Sequence, residues 1–373
     1  MNNNIRVGSL FGIPFYINPS WFLVLTLVTW VYGSQLQNFP QLVGVAPWLL
    51  GLASALLLFS SVLAHELGHS FVAIQQGINV NSITLFIFGG LASLEEDSKS
   101  PGDAFLVAIA GPVVSLILFG VFTLINLTIP LSPPLSAVIE LLAIVNLILA
   151  IFNMIPGLPL DGGNVLKSIV WKITGNQYRG IFIASIVGQF IGWSAIILGI
   201  FSVFGITQFG SLWTALIGFF LLQNAGRSAQ SANLQDKLSR FTAEEAVSKN
   251  SPVVTANLTL REFVNEYVIG KGEWKKFLVT DEEGKLVGQL NVDDLKIIPT
   301  SEWTEKTVET LTKPQEVSSV KPKQTLLEVV MMFEKNQQSE VAVIGENGVV
   351  FGLIEKSGIA NFLEEHQEEL KTA

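Results

Sequence analysis

Apolar residues fill six stretches of the chain, at about 20–33, 47–75, 104–127, 136–155, 181–204 and 211–225. A helix needs roughly 20 apolar residues to cross the hydrocarbon of a bilayer, so most of these stretches are long enough and the first and last are short. The pattern predicts about six membrane-spanning helices. Residues 5–17 alternate weakly and predict short strands. The stretch 79–93 also alternates, through Val80, Ile83, Leu85 and Ile87, before Phe88-Gly89-Gly90. It predicts a hairpin or re-entrant loop, with glycine where the backbone turns or is closely approached. Beyond Gln223 the chain turns polar, and Arg227–Asn233 reads as a linker or the start of a polar helix.

The remainder carries a weak internal repeat. One copy holds Ser251–Val254, Leu260–Val264, Lys276–Thr280 and Lys285–Leu295; the other holds Val317–Val320, Leu327–Val330, Glu340–Ile344 and Val349–Ile359. Gly288 and Gly352 occupy matching places, and each copy reads strand, helix, strand, strand, helix.

Charge divides the chain at the same point. Residues 1–240 hold 8 Lys+Arg and 8 Asp+Glu; the other 14 and 23 lie in 241–373, which carries the whole net charge of −9. The 373 residues therefore divide into a membrane domain over 1–230, a linker over 231–242 and an acidic soluble domain over 243–373. An acidic balance argues against nucleic acid as a partner, because phosphate binding needs a basic surface. With no cysteine there is neither a disulfide nor a thiolate metal site. Neither a signal peptide nor a transit peptide is expected, since Met1-Asn2-Asn3-Asn4 offers no basic n-region.

Basic residues set an orientation. With the N-terminus inside, the outer loops at about 34–46, 128–135 and 205–210 contain no Lys or Arg, whereas Arg6, Lys99, Lys167, Lys172, Arg179 and Arg227 all fall inside. Both termini are then cytoplasmic, in a multi-pass protein of the lipid bilayer. A prokaryotic cytoplasmic membrane is the expected location.

The candidate chemistry begins at Ala64-His65-Glu66-Leu67-Gly68-His69, inside the second apolar stretch. On a helix, positions i and i+4 share a face, so both imidazoles reach one metal. Glu66 is placed to act as general base on a metal-bound water. Ionisable groups at membrane depth are costly and mark function by default. Two histidines leave a catalytic zinc one protein ligand short. Within 1–240 the available carboxylates are Glu95, Glu96, Asp97, Asp103, Glu140, Asp161 and Asp236. Glu95-Glu96-Asp97 reads as a solvated loop, and Glu140 falls near the outer end of the fourth span. Asp161 lies in Asn153-Met154-Ile155-Pro156-Gly157-Leu158-Pro159-Leu160-Asp161-Gly162-Gly163, whose prolines and glycines break the helix and turn the chain back toward the bundle. Asp161 is the expected third ligand; the rival reading is an aspartate in an ordinary turn. Ala110-Gly111-Pro112 reads as small residues for close helix packing.

The pairing of HELGH with NMIPGLPLDGG over roughly 1–230 resembles the site-2 protease family of intramembrane zinc metalloproteases. The resemblance implies one Zn2+ per chain held by His65, His69 and Asp161, with Glu66 activating water. It implies that Asn153 helps to hold the substrate or the oxyanion. It also implies that the Gly89-Gly90 hairpin pairs with an unwound substrate, itself a single-span membrane protein. No insertion resembling a PDZ domain is present.

The repeat resembles a tandem CBS-domain module. That implies an adenine nucleotide as a regulator, with Asp294 at the family's ribose-binding position, although Gly358 stands there in the second copy and Asn291 and Glu355 replace the usual hydroxyl. The alternative is a packing module, or one that joins two chains as a homodimer. The expected architecture is a polytopic α-helical membrane protein with a short β hairpin element, followed by a cytoplasmic α/β tandem CBS domain. The expected function is regulated intramembrane proteolysis. A CBS-gated transporter or channel is the alternative, and would need polar residues along the whole depth of the bilayer.

Overall fold

The structure, a computed structural model, describes residues 4–87, 89–248, 250–269, 274–314 and 318–366. Phe88 of the expected hairpin and Val317 of the second repeat lie outside the described residues. The chain divides into two compact units, Met1–Asn233 and Leu234–Ala373.

In the first unit the six apolar stretches are all helical: α1 (Ser20–Leu36), α2 (Ala46–Gln75), α3 (Pro101–Thr128), α4 (Pro133–Asn153), then, after a further helix α5 (Asp161–Thr174), α6 (Gln177–Val203) and α7 (Leu212–Ser239). Among the described residues, α2, α3, α4 and α6 are long and apolar enough to cross a membrane. The other two of the six expected spans, α1 and α7, are helical but fall outside that measure of length and composition. α1 is apolar but has 17 residues, and α7 runs on into the polar sequence after Gln223. The outward faces of these helices carry large apolar side chains such as Leu124, Phe190 and Trp193. So much exposed apolar surface suits lipid rather than water. The chain is an integral membrane protein.

Small residues carry the contacts between helices, as expected where lipid removes the hydrophobic drive for association. A Cβ on Gly51 would stand 2.8 Å from the Gly33 nitrogen, and one on Gly68 would stand 2.9 Å from the Ala110 carbonyl oxygen. These close approaches join α1 to α2 and α2 to α3.

Both alternating segments form strands of one sheet, β1 (Ile5–Leu10), β2 (Ile13–Ile17), β3 (Val80–Phe86) and β4 (Gly89–Leu94), in that order across it. β1 and β2 are antiparallel, β2 and β3 parallel, and β3 and β4 antiparallel, with Phe86 opposite Gly89 and Leu85 opposite Gly90. The sheet is larger than the isolated hairpin that the sequence predicts, because the N-terminal hairpin joins it. β4 is an outer strand, so its far edge is free of sheet hydrogen bonds among the described residues.

The second unit realises the repeat. β5 (Val253–Thr255), β6 (Lys276–Thr280) and β7 (Leu286–Asn291) form one sheet around the short α8 (Leu260–Phe263); β8 (Ser319–Val320), β9 (Glu340–Ile344) and β10 (Val350–Glu355) form another, with α9 (Leu326–Asn336) and α10 (Lys356–Glu365). In each, the first pair of strands is parallel and the second antiparallel. The matched glycines do the same work. A Cβ on Gly288 would lie 2.5 Å from the Lys313 carbonyl oxygen, and one on Gly352 would lie 2.4 Å from Val247, so each admits a segment crossing its sheet. Leu278, Ala342 and Leu353 bury together between the copies. This is the α/β tandem architecture that the CBS resemblance implies.

Candidate metal centre

α2 presents His65 and His69 one turn apart on its buried face, beside Ser61 and Gly68. Asp161 reaches them from the other end of the unit's sequence. Its path depends on the glycines that follow it. A Cβ on Gly162 would stand 2.3 Å from the Met154 carbonyl oxygen, and one on Gly163 would stand 2.2 Å from the Leu158 nitrogen. Only side-chain-free residues let α5 begin against the end of α4. Asp161 occupies the first turn of α5, where the helix dipole favours a carboxylate.

The three groups converge. Asp161 Oδ2 lies 3.1 Å from His65 Nε2 and 3.3 Å from His69 Nε2, and the two Nε2 atoms are 3.3 Å apart. Zinc bonds of about 2.0–2.1 Å at tetrahedral angles set neighbouring ligand atoms about 3.3 Å apart. The triangle therefore has the dimensions of three ligands of one tetrahedral ion. The remaining ring nitrogens are held from outside it. His69 Nδ1 lies 2.6 Å from the Val107 carbonyl oxygen and so donates to it, and His65 Nδ1 lies 2.9 Å from Ser115 Oγ. The Val107 contact fixes the tautomer that turns the lone pair of His69 Nε2 inward, the arrangement that outer hydrogen bonds give metal-ligating histidines. The donor set fits the metal.

α3 supplies the floor. A Cβ on Gly111 would stand 2.2 Å from His69 Nε2 and 2.7 Å from His65 Nε2. Gly111 thus makes room for the ring nitrogens, beyond the helix packing that its small neighbours suggest. Val107, Gly111 and Ser115 follow at i, i+4 and i+8 along one face of α3. Sequence reasoning missed this face of the site. A Gly–Ser pair four apart was the available signal; a backbone acceptor such as Val107 leaves none.

Glu66 lies against β4, where a Cβ on Gly90 would stand 2.4 Å from its Cγ. A cavity of about 280 Å³ joins these groups. Asn153, the last residue of α4, lines it, although its side-chain amide also donates to the Leu149 carbonyl at 3.0 Å. Gly90 lines the cavity, while Gly89 sits one residue away with a φ of 138°. Of the acidic run, Glu95 accepts from Asn79 at 2.7 Å and all three residues are exposed, as a solvated loop should be. Asp97 nevertheless lines the cavity, as does Lys167 of α5. Burial draws the Lys167 ammonium below the ordinary lysine range, and Asp97 opposes that shift.

Asp294 stands apart in the second unit. It pairs with Lys313 at 2.8 Å, and it lines neither of two cavities found there, of about 290 and 370 Å³.

The profile of peptidase family M50 matches residues 53–138 and 131–194, a region that contains both histidines and Asp161. A protein of Synechocystis sp. named as a putative zinc metalloprotease is 57% identical over 365 residues, covering 98% of this chain and 96% of its own length. The chain belongs to peptidase family M50, the site-2 protease family. Among solved structures, the site-2 protease from Methanocaldococcus jannaschii aligns with a TM-score of 0.46 and 27% identity, covering 61% of this chain and 95% of that one. A CBS-domain-containing protein of unknown function from Kribbella flavida aligns with a TM-score of 0.28 and 21% identity, covering 33% of this chain and 97% of that one.

Proposed function

We propose that this M50 chain is an intramembrane zinc endopeptidase that hydrolyses peptide bonds within or near the spans of single-pass membrane proteins, on the cytoplasmic side. The observation that carries the reading is the meeting of His65, His69 and Asp161 beside Glu66 and a free strand edge. Those three residues would hold one zinc ion, which when bound supplies Lewis acidity to a carbonyl and to water.

The chain's own groups do the rest. Glu66 takes the proton of the attacking water and returns it to the leaving amine. Its carboxylate lies against β4 at Gly90, at the cavity wall. The Asn153 amide would donate to the substrate carbonyl. A helical substrate shields its own peptide bonds, so it has to unwind before it reacts. The free edge of β4, at Gly89 and Gly90, would satisfy the released backbone groups by adding the substrate as a further strand.

The C-terminal unit would act as the regulator. The cavity lined by Lys276, Gln289, Ser318, Gln338 and Glu340 balances one cation against one carboxylate, and so suits an anionic ligand such as an adenine nucleotide better than the one lined by Glu245, Glu355 and Glu365 does. A CBS-gated transporter is less well supported, because such a path needs polar groups through the whole bilayer. Here the ionisable groups of α2 gather at the metal centre, and the single ionisable residue of α4, Glu140, is exposed.

The test is cleavage of a single-span substrate by the purified full-length chain. Glu66→Gln is expected to keep its zinc and lose turnover by at least about 10³-fold. Cleavage by this variant at the wild-type rate would overturn the reading. Ion flux through a protein lacking the metal ligands would favour the transporter.

A further inference from the structure

The cavity that holds the histidines continues beyond them as a cleft. One wall is β4, which reaches from Gly90 at Glu66 to Leu94, about 13 Å at the rise of an extended strand. The other wall is α5, where Asp161, Asn164 and Lys167 line the space at intervals of three residues. Lys167 lies six residues from the metal ligand, about 9 Å along the helix axis. A strand added to β4 with its scissile bond at Glu66 would therefore carry its second to fourth neighbouring residues past Lys167.

Two observations say what Lys167 meets there. Among the described residues that line the cavity, Asp97 is the carboxylate outside the metal centre and Glu66. Asp97 is exposed, and the Gln177 amide donates to it at 3.5 Å, so it is shared with solvent and with a second donor. Lys167 is the more deeply set of the two and makes no ion pair with a described residue. In a substrate paired as a strand, the backbone carbonyls facing β4 are taken by it, while the outward carbonyls and the side chains meet α5. Of these a carboxylate is the stronger partner for the ammonium.

We propose that Lys167 is a specificity-determining residue that selects substrates carrying an aspartate or glutamate two to four residues from the scissile bond, with Asp97 setting the strength of the preference. The inference rests on the protease reading and names the substrate class of the same site. The preference runs against the usual composition of cytoplasmic flanks, which are rich in Lys and Arg, so it would exclude most single-span proteins.

The experiment uses the full-length protein in bilayers and one single-span substrate with Asp, Asn or Lys placed in turn at positions two to five on either side of the cleaved bond. The readout is the ratio of kcat/KM for the Asp and Lys forms. The wild type is expected to favour Asp by roughly tenfold at one or two positions on one side. Lys167→Arg should keep that ratio, Lys167→Met should bring it to near one, and Lys167→Glu should invert it. Asp97→Asn should raise it, since a competing carboxylate is gone. A wild type that cleaves all forms alike, or a ratio unchanged in Lys167→Glu, would overturn the proposal while leaving the protease reading intact. A wild type that cleaves none of them, Asn forms included, would overturn the protease reading itself.

Discussion

Gly111 of α3 packs against the ring of His69 so closely that a Cβ would stand 2.2 Å from Nε2. The same Cβ would stand 2.7 Å from His65 Nε2, so a single methyl group contests the position of both ring nitrogens. Neither ring can simply swing away, because Val107 and Ser115 hold the other nitrogens. Gly111→Ala is therefore expected to weaken zinc binding by about 10- to 100-fold, in line with the loss of properly oriented ligands. Alanine is at home in a helix, so the variant should purify as a folded protein. Metal analysis of the detergent-purified variant decides the matter, and a full complement of zinc would show that the centre can relax around the methyl group.

Asp161 offers one carboxylate oxygen to both histidines. The substitution Asp161→Asn would keep the shape of the side chain and remove the charge that a divalent ion needs beside two neutral imidazoles. Zinc content near one per chain in the wild type, lost or weakened in the variant, is the expected result. Full retention would move the third ligand elsewhere. Glu95, Glu96 and Asp97 would then return as candidates, the last because it lines the cavity.

The convergence of His65, His69 and Asp161 was legible because its signals are local. HELGH names three residues within one helical turn, and the DGG that ends the second motif records the close approach of α5 to α4. What stayed hidden in the sequence depends on tertiary contact. The Val107 carbonyl has no side chain to betray it, and Gly111 looks like any small packing residue. The N-terminal strands read correctly as strands, but nothing in their alternation says that β2 pairs with β3 across the length of two helices. His366, whose neighbours Glu364 and Glu365 suggest a solvated helix end, packs its ring against Phe241 and Phe362, a contact that only the fold supplies. Asp294 follows the motif position of a nucleotide ligand, but Lys313 already occupies its carboxylate.

The second unit carries a pH-dependent element of its own. Thr259 caps α8, and its hydroxyl and backbone N–H both donate to Glu262, at 2.7 and 3.1 Å, which holds that carboxyl below the usual glutamate range. A carboxyl whose folded value is depressed stabilises the fold above its unfolded value, about 4.3, and loses that contribution as pH falls through the folded value. Glu262→Gln imitates the protonated side chain at every pH. The variant is thus expected to unfold at lower denaturant concentration than the wild type at about pH 7, with the gap closing as the pH drops below about 4. A gap that stays constant down to about pH 3 would mean that the charge of Glu262 plays no part.

Gly90 separates metal binding from turnover. It stands on the free-edge strand, and a Cβ there would come within 2.4 Å of Glu66 Cγ and 2.8 Å of Cδ, and the three atoms nearest to it all belong to Glu66 rather than to the histidines or Asp161. Gly90→Ala should therefore push the Glu66 carboxylate away from the attacking water and leave the ligands in place. Displacing a general base by about 1 Å costs on the order of 10²-fold in rate. The expected outcome is zinc content equal to that of the wild type with kcat reduced by about that factor, the reverse of the pattern expected for Gly111→Ala. Should Gly90→Ala lose zinc as well, β4 would be part of the scaffold of the metal centre rather than a wall for Glu66. Should it raise KM and leave kcat unchanged, the strand would serve substrate pairing alone.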